Sequence, residues 1–539
     1  MSSKKVVNLA LNRVEGDLEV KIEFDGKKVT DAWCVGTMFR GFEQIMTGRA
    51  AMDGLVITPR ICGICGTSHL YAAVTALETA YQCPIAPNGT RIRNLCLMAE
   101  EVQSDLRHTF LMFTVDFCNQ RYEEHQAYPR LLEAFQPFKG RFYRETIQHS
   151  KQILEIVAIF GGQWPHSSYM IPGGVTSVPS QRDLIRAQSI LDAYIKWYEN
   201  AILGCTSEEW LSIQSVDDFN NWLEKRKALQ DSTTSVGWQT ILGRRKEKKA
   251  PQQSAVDLFT HFGRSIGLHK LGKSEGNLLS YGAFFDPDNW QPPFSKRHCL
   301  LAPGFYDAKS GVIETFSSAE IEEHLKYSWY KGEEGGYHPW DGDTIPDYAP
   351  DSEKYSWAKA PRYKNTVVEV GPLAEMVVAG DPLISDFFRQ EGSNAWLRQF
   401  SRLHRPVVTL QMMRKMIKDS LTNIKEPFYE EPLIRGEGEG EGLIQAARGC
   451  LGHWIKLKDN KIEKYQIITP TAWNASPRDS AAKLGHWEKT LIGTEIRDID
   501  NPVEVGHIVR SHDACLVCTV HFLETGKKMR LGGAPLVNG

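Results

Sequence analysis

The chain has 539 residues, 42% of them hydrophobic and 24% charged, with a formal net charge of −3. That length allows two or three ordinary domains or one large core with insertions. The balanced charge, with no concentrated basic stripe, excludes a nucleic-acid binder, and no apolar run approaches the roughly 20 residues of a membrane span.

The first 16 residues, MSSKKVVNLALNRVEG, contain no apolar h-region, so a soluble protein without a signal peptide is expected. Leu18, Val20, Ile22 and Phe24 alternate, Asp25-Gly26 marks a turn, and Val29 and Ala32 lie on a returning strand, which predicts a β-hairpin. RICGICGTSH follows, with Cys62, Cys65 and His69. The Ala-rich stretch 68–82 has helical spacing, with Thr67 or Ser68 as its cap, so this cysteine pair falls in a tight loop at a helix N-terminus. Amides there favour thiolate over thiol. A longer helix is predicted over 93–117, with Leu95, Val102, Leu106 and Phe113 on one face and Asp105 flanking it as a buried carboxylate. Ser180-Gln-Arg-Asp183 resembles a capping box opening a helix that runs to about 203. Residues 225–254 and 333–352 read as loop-rich insertions, the charge run Gly243–Lys249 being a solvated surface. Residues 393–422 are helical, with a break or kink expected at Arg405-Pro406. GEGEGEG (Gly436–Gly442) is rejected as a phosphate loop because its glutamates repel phosphate and no Lys follows. Trp454–Leu457 and Ile462–Ile468 around Asp459-Asn460 form a second hairpin. The fold class is α+β and predominantly helical: a central bundle of long helices with peripheral hairpins and loop-rich insertions.

The cysteines number eleven, and seven of them, Cys34, Cys83, Cys96, Cys118, Cys205, Cys299 and Cys450, are isolated and read as small buried hydrophobes. The other four form two C-x-x-C pairs, each followed by histidine: Cys62, Cys65, His69 and, near the C-terminus, Cys515, Cys518, His521. Four converging thiolates suit nickel, iron or zinc and not magnesium or calcium. A structural zinc site or a rubredoxin-like iron site answers to the same cysteines. Separation of the pairs by nearly the whole chain, and the adjacent histidines, argue against a small stapling module.

The chain resembles the large, catalytic subunit of [NiFe] hydrogenases. R-x-C-G-x-C-x-x-x-H is met by Arg60, Cys62, Cys65 and His69, and D-P-C-x-x-C-x-x-H by Asp513, Cys515, Cys518 and His521. RVEG (Arg13–Gly16), FRGFE (Phe39–Glu43), GGQWPHSSYMIPGG (Gly161–Gly174), KAPRY (Lys359–Tyr363), EVGPLA (Glu369–Ala374), AARGCLGHW (Ala446–Trp454) and TPTAWNASPRD (Thr469–Asp479) follow in the family's order. The resemblance implies one large catalytic domain, 1–521, in the hydrogenase large-subunit fold. It implies Cys62 and Cys515 as terminal nickel ligands, and Cys65 and Cys518 bridging nickel to an iron that carries cyanide and carbon monoxide. Cys515 would accept the proton of H2 and Glu15 would relay it outward. Arg448 would lie over the open metal position, held by Asp105 and Asp513, and His69 would donate toward a bridging sulfur. Glu43, the carbonyl of Ile467 and His521 would bind a buried Mg2+.

The departures from the family pattern are Asp513-Ala514-Cys515 for D-P-C, Ala446-Ala447-Arg448-Gly449 for A-P-R-G, and Glu375 where an arginine often follows EVGPLA. With the TVH ending they resemble the uptake and H2-sensing branch facing the cytoplasm, so the expected location is cytoplasmic or peripheral on the cytoplasmic face of a membrane. Ile64, between the first two cysteines, is bulky at a gas route and is expected to slow oxygen. Residues 522–539 run past His521, where mature members end, so a nickel-dependent endopeptidase is expected to remove them after nickel and iron insertion factors have acted. No Fe–S motif remains, so an iron–sulfur small subunit is required, passing electrons to a quinone or other acceptor. The expected activity is H2 oxidation in uptake, with an H2-sensing subunit of low turnover as the alternative.

Overall fold

The computed structural model describes residues 5–10, 13, 18–234, 239–241, 244–246, 253–289, 298–332, 334–515 and 529–530. Glu15, Cys518, His521 and most of Gly243–Lys249 lie outside the described residues. The predicted first hairpin is β2 (Leu18–Phe24) against β3 (Val29–Gly36), with Ile22 opposite Ala32. The alternation buries Val20, Ile22 and Phe24 on one face. Sequence reading missed β1 (Lys5–Ala10), antiparallel to β2, and Met529–Arg530 adds to β1 as a parallel edge strand.

The core is a helical bundle. Its members are α1 (Gly66–Tyr81), α2 (Pro87–Arg107), α3 (Arg141–Gly161), α4 (Gln181–Trp197), α5 (Pro372–Val378) and α6 (Ala395–Thr422). The Ser180–Asp183 capping box is present as predicted. The helix expected from 93 begins six residues earlier, where Pro87 occupies the first turn without sacrificing a bonded N–H. It gives way to a π-turn over His108–Phe113. Helix α6 runs continuously through Pro406, so of the break or kink expected there no break occurs. From Ala395 to Val407 every residue of this helix is buried, and tertiary packing overrides the local cost of the missing N–H. Arg93 and Glu78, both fully buried, join α2 to α1 through two hydrogen bonds of 3.1 and 2.7 Å.

The second predicted hairpin is β5 (Gly449–Lys458) with β6 (Lys461–Ile468), turned by Asp459 and Asn460, both at positive φ. The Gly-Glu repeat proves to be a strand, β4 (Gly438–Ala446), antiparallel to β5. Its alternate glycines face α1. A Cβ on Gly442 would lie 1.9 Å from the Ala72 carbonyl oxygen, and one on Gly440 2.0 Å from that of Ala76. Ala72, Ala76 and Ala80 recur every four residues, one helical stripe, so helix backbone rests on strand backbone. This contact fixes the helix that carries His69 relative to the β4–β5 turn that carries Arg448.

Candidate metal centre

Cys62 lies in the loop before α1, and Cys65 is the residue preceding its first turn. Cys62 Sγ accepts from the main-chain N–H of Ile64 and of Cys65, each at 3.4 Å. The expected cap is not formed by Thr67 or Ser68. Instead the buried Glu100 carboxylate on α2 accepts from Thr67 N (2.9 Å), Ser68 N (3.0 Å), Ser68 Oγ (2.8 Å) and Trp164 Nε1 (3.2 Å). A carboxylate at this helix end satisfies orphan donors and the helix dipole together. No local spacing reveals it, because Glu100 is a helix away in sequence.

From the other end of the chain, α7 (Val503–Ser511) leads into Asp513, held at φ 59°, and then Cys515, whose N–H donates to Thr471 Oγ1 at 3.0 Å. Cys515 Sγ stands 3.3 Å from Cys62 Sγ, across 453 residues of sequence. The sulfurs of Cys62, Cys65 and Cys515 all lie within 4.8 Å of one another, buried and free of disulfides. Folding therefore does bring the two motifs together for the three described cysteines. A soft, electron-rich donor set of this kind fits nickel and iron.

Arg448 is 4% exposed, with Nε 3.1 Å from Asp513 Oδ1. Burial opposes its charge, but Asp513 and then Cys515, Cys65 and Cys62 outweigh it, so the guanidinium is held firmly cationic beside the sulfurs. Asp513 is likewise held ionised, against burial, by Arg448, His108 and Arg402. A cavity of about 10 Å³ is lined by Cys65, His69, Arg448, Thr471 and Cys515 among others, room for one water-sized molecule. His69 Nδ1 is 3.1 Å from His453 Nε2, and His453 Nδ1 is 2.8 Å from the Tyr465 hydroxyl, a buried chain that sequence reading did not find.

Asp105 is buried as expected but does not pair with Arg448. It receives Arg405 Nε (2.9 Å) and Nη2 (2.8 Å), because its face of α2 packs on α6. Arg405 also donates to Glu375 Oε2 and to the Ala447 carbonyl, each at 2.8 Å, so Asp105 reaches the Arg448 turn only at one remove.

Glu43 and Ile467 do meet: Glu43 Oε1 accepts from the Ile467 N–H at 2.8 Å, and Oε2 bonds Thr344 Oγ1. Both line a cavity of about 80 Å³ with Glu323 and Lys359. Lys359 Nζ lies 3.4 Å from Glu323 and 3.9 Å from Glu43. Burial, relieved only in part by Lys359, pushes Glu323 up to about 7. These oxygen donors suit a hard cation such as Mg2+.

Arg13, two residues before Glu15, is anchored at Asp116 and at the Met112 carbonyl (2.8 Å), and Asp116 also receives Arg510 Nε of α7 at 2.6 Å. The start of the RVEG motif is thus tied to the helix that leads to Cys515. Sequence reading also missed a buried group of Glu369, His486 and His512 with ligand-like spacing. Arg398 already clasps both Glu369 oxygens at 2.7 and 3.0 Å, which makes this an ion-pair network and not a metal site.

A family model described as nickel-dependent hydrogenase matches residues 40–130 and 252–521. The periplasmic [NiFeSe] hydrogenase large subunit of Desulfomicrobium baculatum is 32% identical, over 96% of this chain and 95% of its own length. The uptake hydrogenase large subunit of Rhodobacter capsulatus is 27% identical, over 99% and 97%. Among solved structures, the reduced Ni-Fe-Se hydrogenase from D. vulgaris Hildenborough superposes with a TM-score of 0.77 at 27% identity, covering 96% of this chain and all of that one.

Proposed function

The chain belongs to the nickel-dependent hydrogenase family, and we propose that it is the catalytic large subunit of an uptake [NiFe] hydrogenase, oxidising H2 to two protons and two electrons. The observation that carries this reading is the convergence of Cys62, Cys65 and Cys515 within 4.8 Å, beside the cationic Arg448. In this reading Cys62, Cys65, Cys515 and Cys518 would hold the nickel, Cys65 and Cys518 would also hold the iron, and that iron would carry cyanide and carbon monoxide. When bound, the centre supplies a Lewis-acidic pair that polarises H2 and takes up its electrons. The chain's own residues handle charge and protons. Arg448, paired to Asp513, presents its guanidinium to the small cavity beside the sulfurs. Cys515 Sγ accepts the proton and Glu15 relays it outward. Thiolates only accept hydrogen bonds, so the buried chain runs from the Tyr465 hydroxyl to His453 to His69, leaving His69 Nε2–H to donate toward sulfur. Glu43, the Ile467 carbonyl and His521 hold Mg2+.

Hydrogenase large subunits pair with a small subunit. Among the described residues no further group of three cysteines forms, which supports placing the Fe–S clusters in that partner. Ile45, Met52 and Val56, each more than 40% exposed near the first motif, supply an apolar face for it. Electrons then pass to a quinone or other acceptor. No helix among the described residues is long and apolar enough to cross a membrane. The reading places the complex in the cytoplasm or on the cytoplasmic face of a membrane through its partners, and cell fractionation tests this. Residues 1–521 form the mature catalytic domain and 522–539 are removed by an endopeptidase once the metals are inserted. An intact mass of active enzyme that retained the tail would refute that step. Metal analysis with infrared spectroscopy tests the whole reading: nickel, iron and bands of bound carbon monoxide and cyanide are expected, and zinc alone overturns it. Rapid reduction of an artificial acceptor by H2 separates an uptake enzyme from a sensor.

A further inference from the structure

Four of the five N–H groups of Arg405 are committed to Asp105, Glu375 and the Ala447 carbonyl. One turn before Asp105 on α2 stands Glu101, 1% exposed, and neither of its oxygens has a hydrogen-bond partner. Glu375 Oε1 on α5 faces the Gln445 side chain of β4, its one neutral polar neighbour in an interaction that favours the charged form. Three buried carboxyl groups thus gather near one guanidinium, Asp105 and Glu375 bonded to it and Glu101 one helical turn from Asp105. Fully ionised, they would leave two negative charges beyond Arg405, with Arg402 near Asp105 as a further cation. An isolated buried carboxylate is costly enough that it takes a proton instead.

We propose that Glu101 and Glu375 form a buried proton-storing pair that holds one proton at neutral pH, and that its protonation state positions the Arg448 turn through Arg405 and Ala447. The charged and titratable groups facing the pair are Glu100 and Asp105 on α2, Arg402 and Arg405 on α6, and Cys450 on β5. Burial presses Glu101 strongly toward its neutral form. Arg405 opposes this, while Glu375, Asp105 and Glu100 reinforce it. When the pair gives up its proton, Arg405 faces one more anion and its hold on the Ala447 carbonyl changes. The residue after that carbonyl is Arg448, so a charge stored on α2 and α5 is read as the placement of a guanidinium beside the sulfurs. Storage itself does not depend on the hydrogenase reading, whereas its link to turnover rests on it.

The test is infrared spectroscopy of the holoenzyme with its small subunit at neutral pH, in H2O and D2O. Wild type is expected to show a carboxylic-acid C=O band that moves down in D2O, disappears in Glu101→Gln, and shifts or disappears in Glu375→Gln. In Glu101→Gln the pH profile of H2-dependent dye reduction is expected to move by about one unit, as for coupled carboxyls, with nickel and iron content unchanged. Wild-type-minus-variant spectra in which neither substitution removes or shifts a carboxylic-acid band, or a profile that stays in place, overturn the proposal. Glutamine imitates a neutral acid, so failure of both variants to assemble overturns it as well. The carbon monoxide and cyanide bands in the same spectra report the centre independently. Their absence beside the expected carboxyl band would refute the hydrogenase reading and leave the storage pair standing.

Discussion

Replacing Gly442 with alanine tests how a glycine-rich strand places the metal centre. The backbone there is ordinary extended strand, so propensity alone favours alanine by about 0.5–1 kcal/mol. Packing reverses the sign. The new Cβ would stand 1.9 Å from the Ala72 carbonyl oxygen and 2.7 Å from Ala76 N, both helix backbone that cannot rotate aside. Restoring ordinary contact requires α1 and β4 to separate by on the order of 1 Å, a strain of about 1–3 kcal/mol. Ala72 is one turn along α1 from His69, so the displacement passes to the first cysteine motif, where a 1 Å error costs up to about 10²-fold in rate. The assay pairs calorimetric melting of the holoenzyme at fixed scan rate with H2-dependent dye reduction. Gly436→Ala is the control, since its Cβ would meet Asn460 at an ordinary 3.4 Å. Gly442→Ala should melt lower than the control and turn over more slowly. Equal melting and equal turnover would show that close backbone approach is not what demands glycine.

Arg448→Lys keeps the charge but loses the planar fork, and should lower turnover by about 10²-fold with nickel and iron retained by elemental analysis. Glu369 is buried, yet Arg398 and His486 outweigh burial and hold its carboxyl down to about 2. Its folded value is depressed, so its stabilisation is full above about pH 4.3 and is lost as pH falls toward 2, about 3 kcal/mol in all. Glu369→Gln should flatten the acid limb of unfolding, and an unchanged limb would mean that the Arg398 pair contributes nothing. Ile64 is 6% exposed and packs with Cys62, Cys65 and Cys515. Ile64→Ala should speed inactivation by oxygen, and an unchanged inactivation rate would remove Ile64 from the gas route.

What the sequence reveals here is what short spacing encodes. The first hairpin, the Ser180 capping box and the cysteine loop before α1 each depend on residues a few positions apart, so they are legible. The Gly-Glu repeat is not, because its meaning lies in the alanine stripe of α1, more than 350 residues earlier. Glycine alternation signals a loop by composition and becomes a strand only because a helix lies on it. The α1 cap fails in the same way: Thr67 and Ser68 have the right chemistry, but a carboxylate on the next helix reaches their amides first. Asp105 was legible as a buried acid from its place beside an apolar face. Its partner was not, since Arg405 and Arg448 are both arginines near the core and only the packing of α2 on α6 chooses between them.

That choice has a consequence for how the centre is assembled. Arg448 is held cationic first by Asp513 and then by three sulfurs, so charge on those sulfurs adds to the compensation of its burial. Thiolates gathered within 4.8 Å repel one another unless a metal draws them together. Guanidinium and metal are thus each stabilised by the charge that the other requires. Cys515 arrives from the far end of the chain, so its approach to Cys62 and Cys65 bears on both balances at once. Holding Arg405 on Asp105 and Glu375 keeps the neighbouring cation out of that exchange. The Arg448–Asp513 pair is left as the cation that answers to the sulfurs.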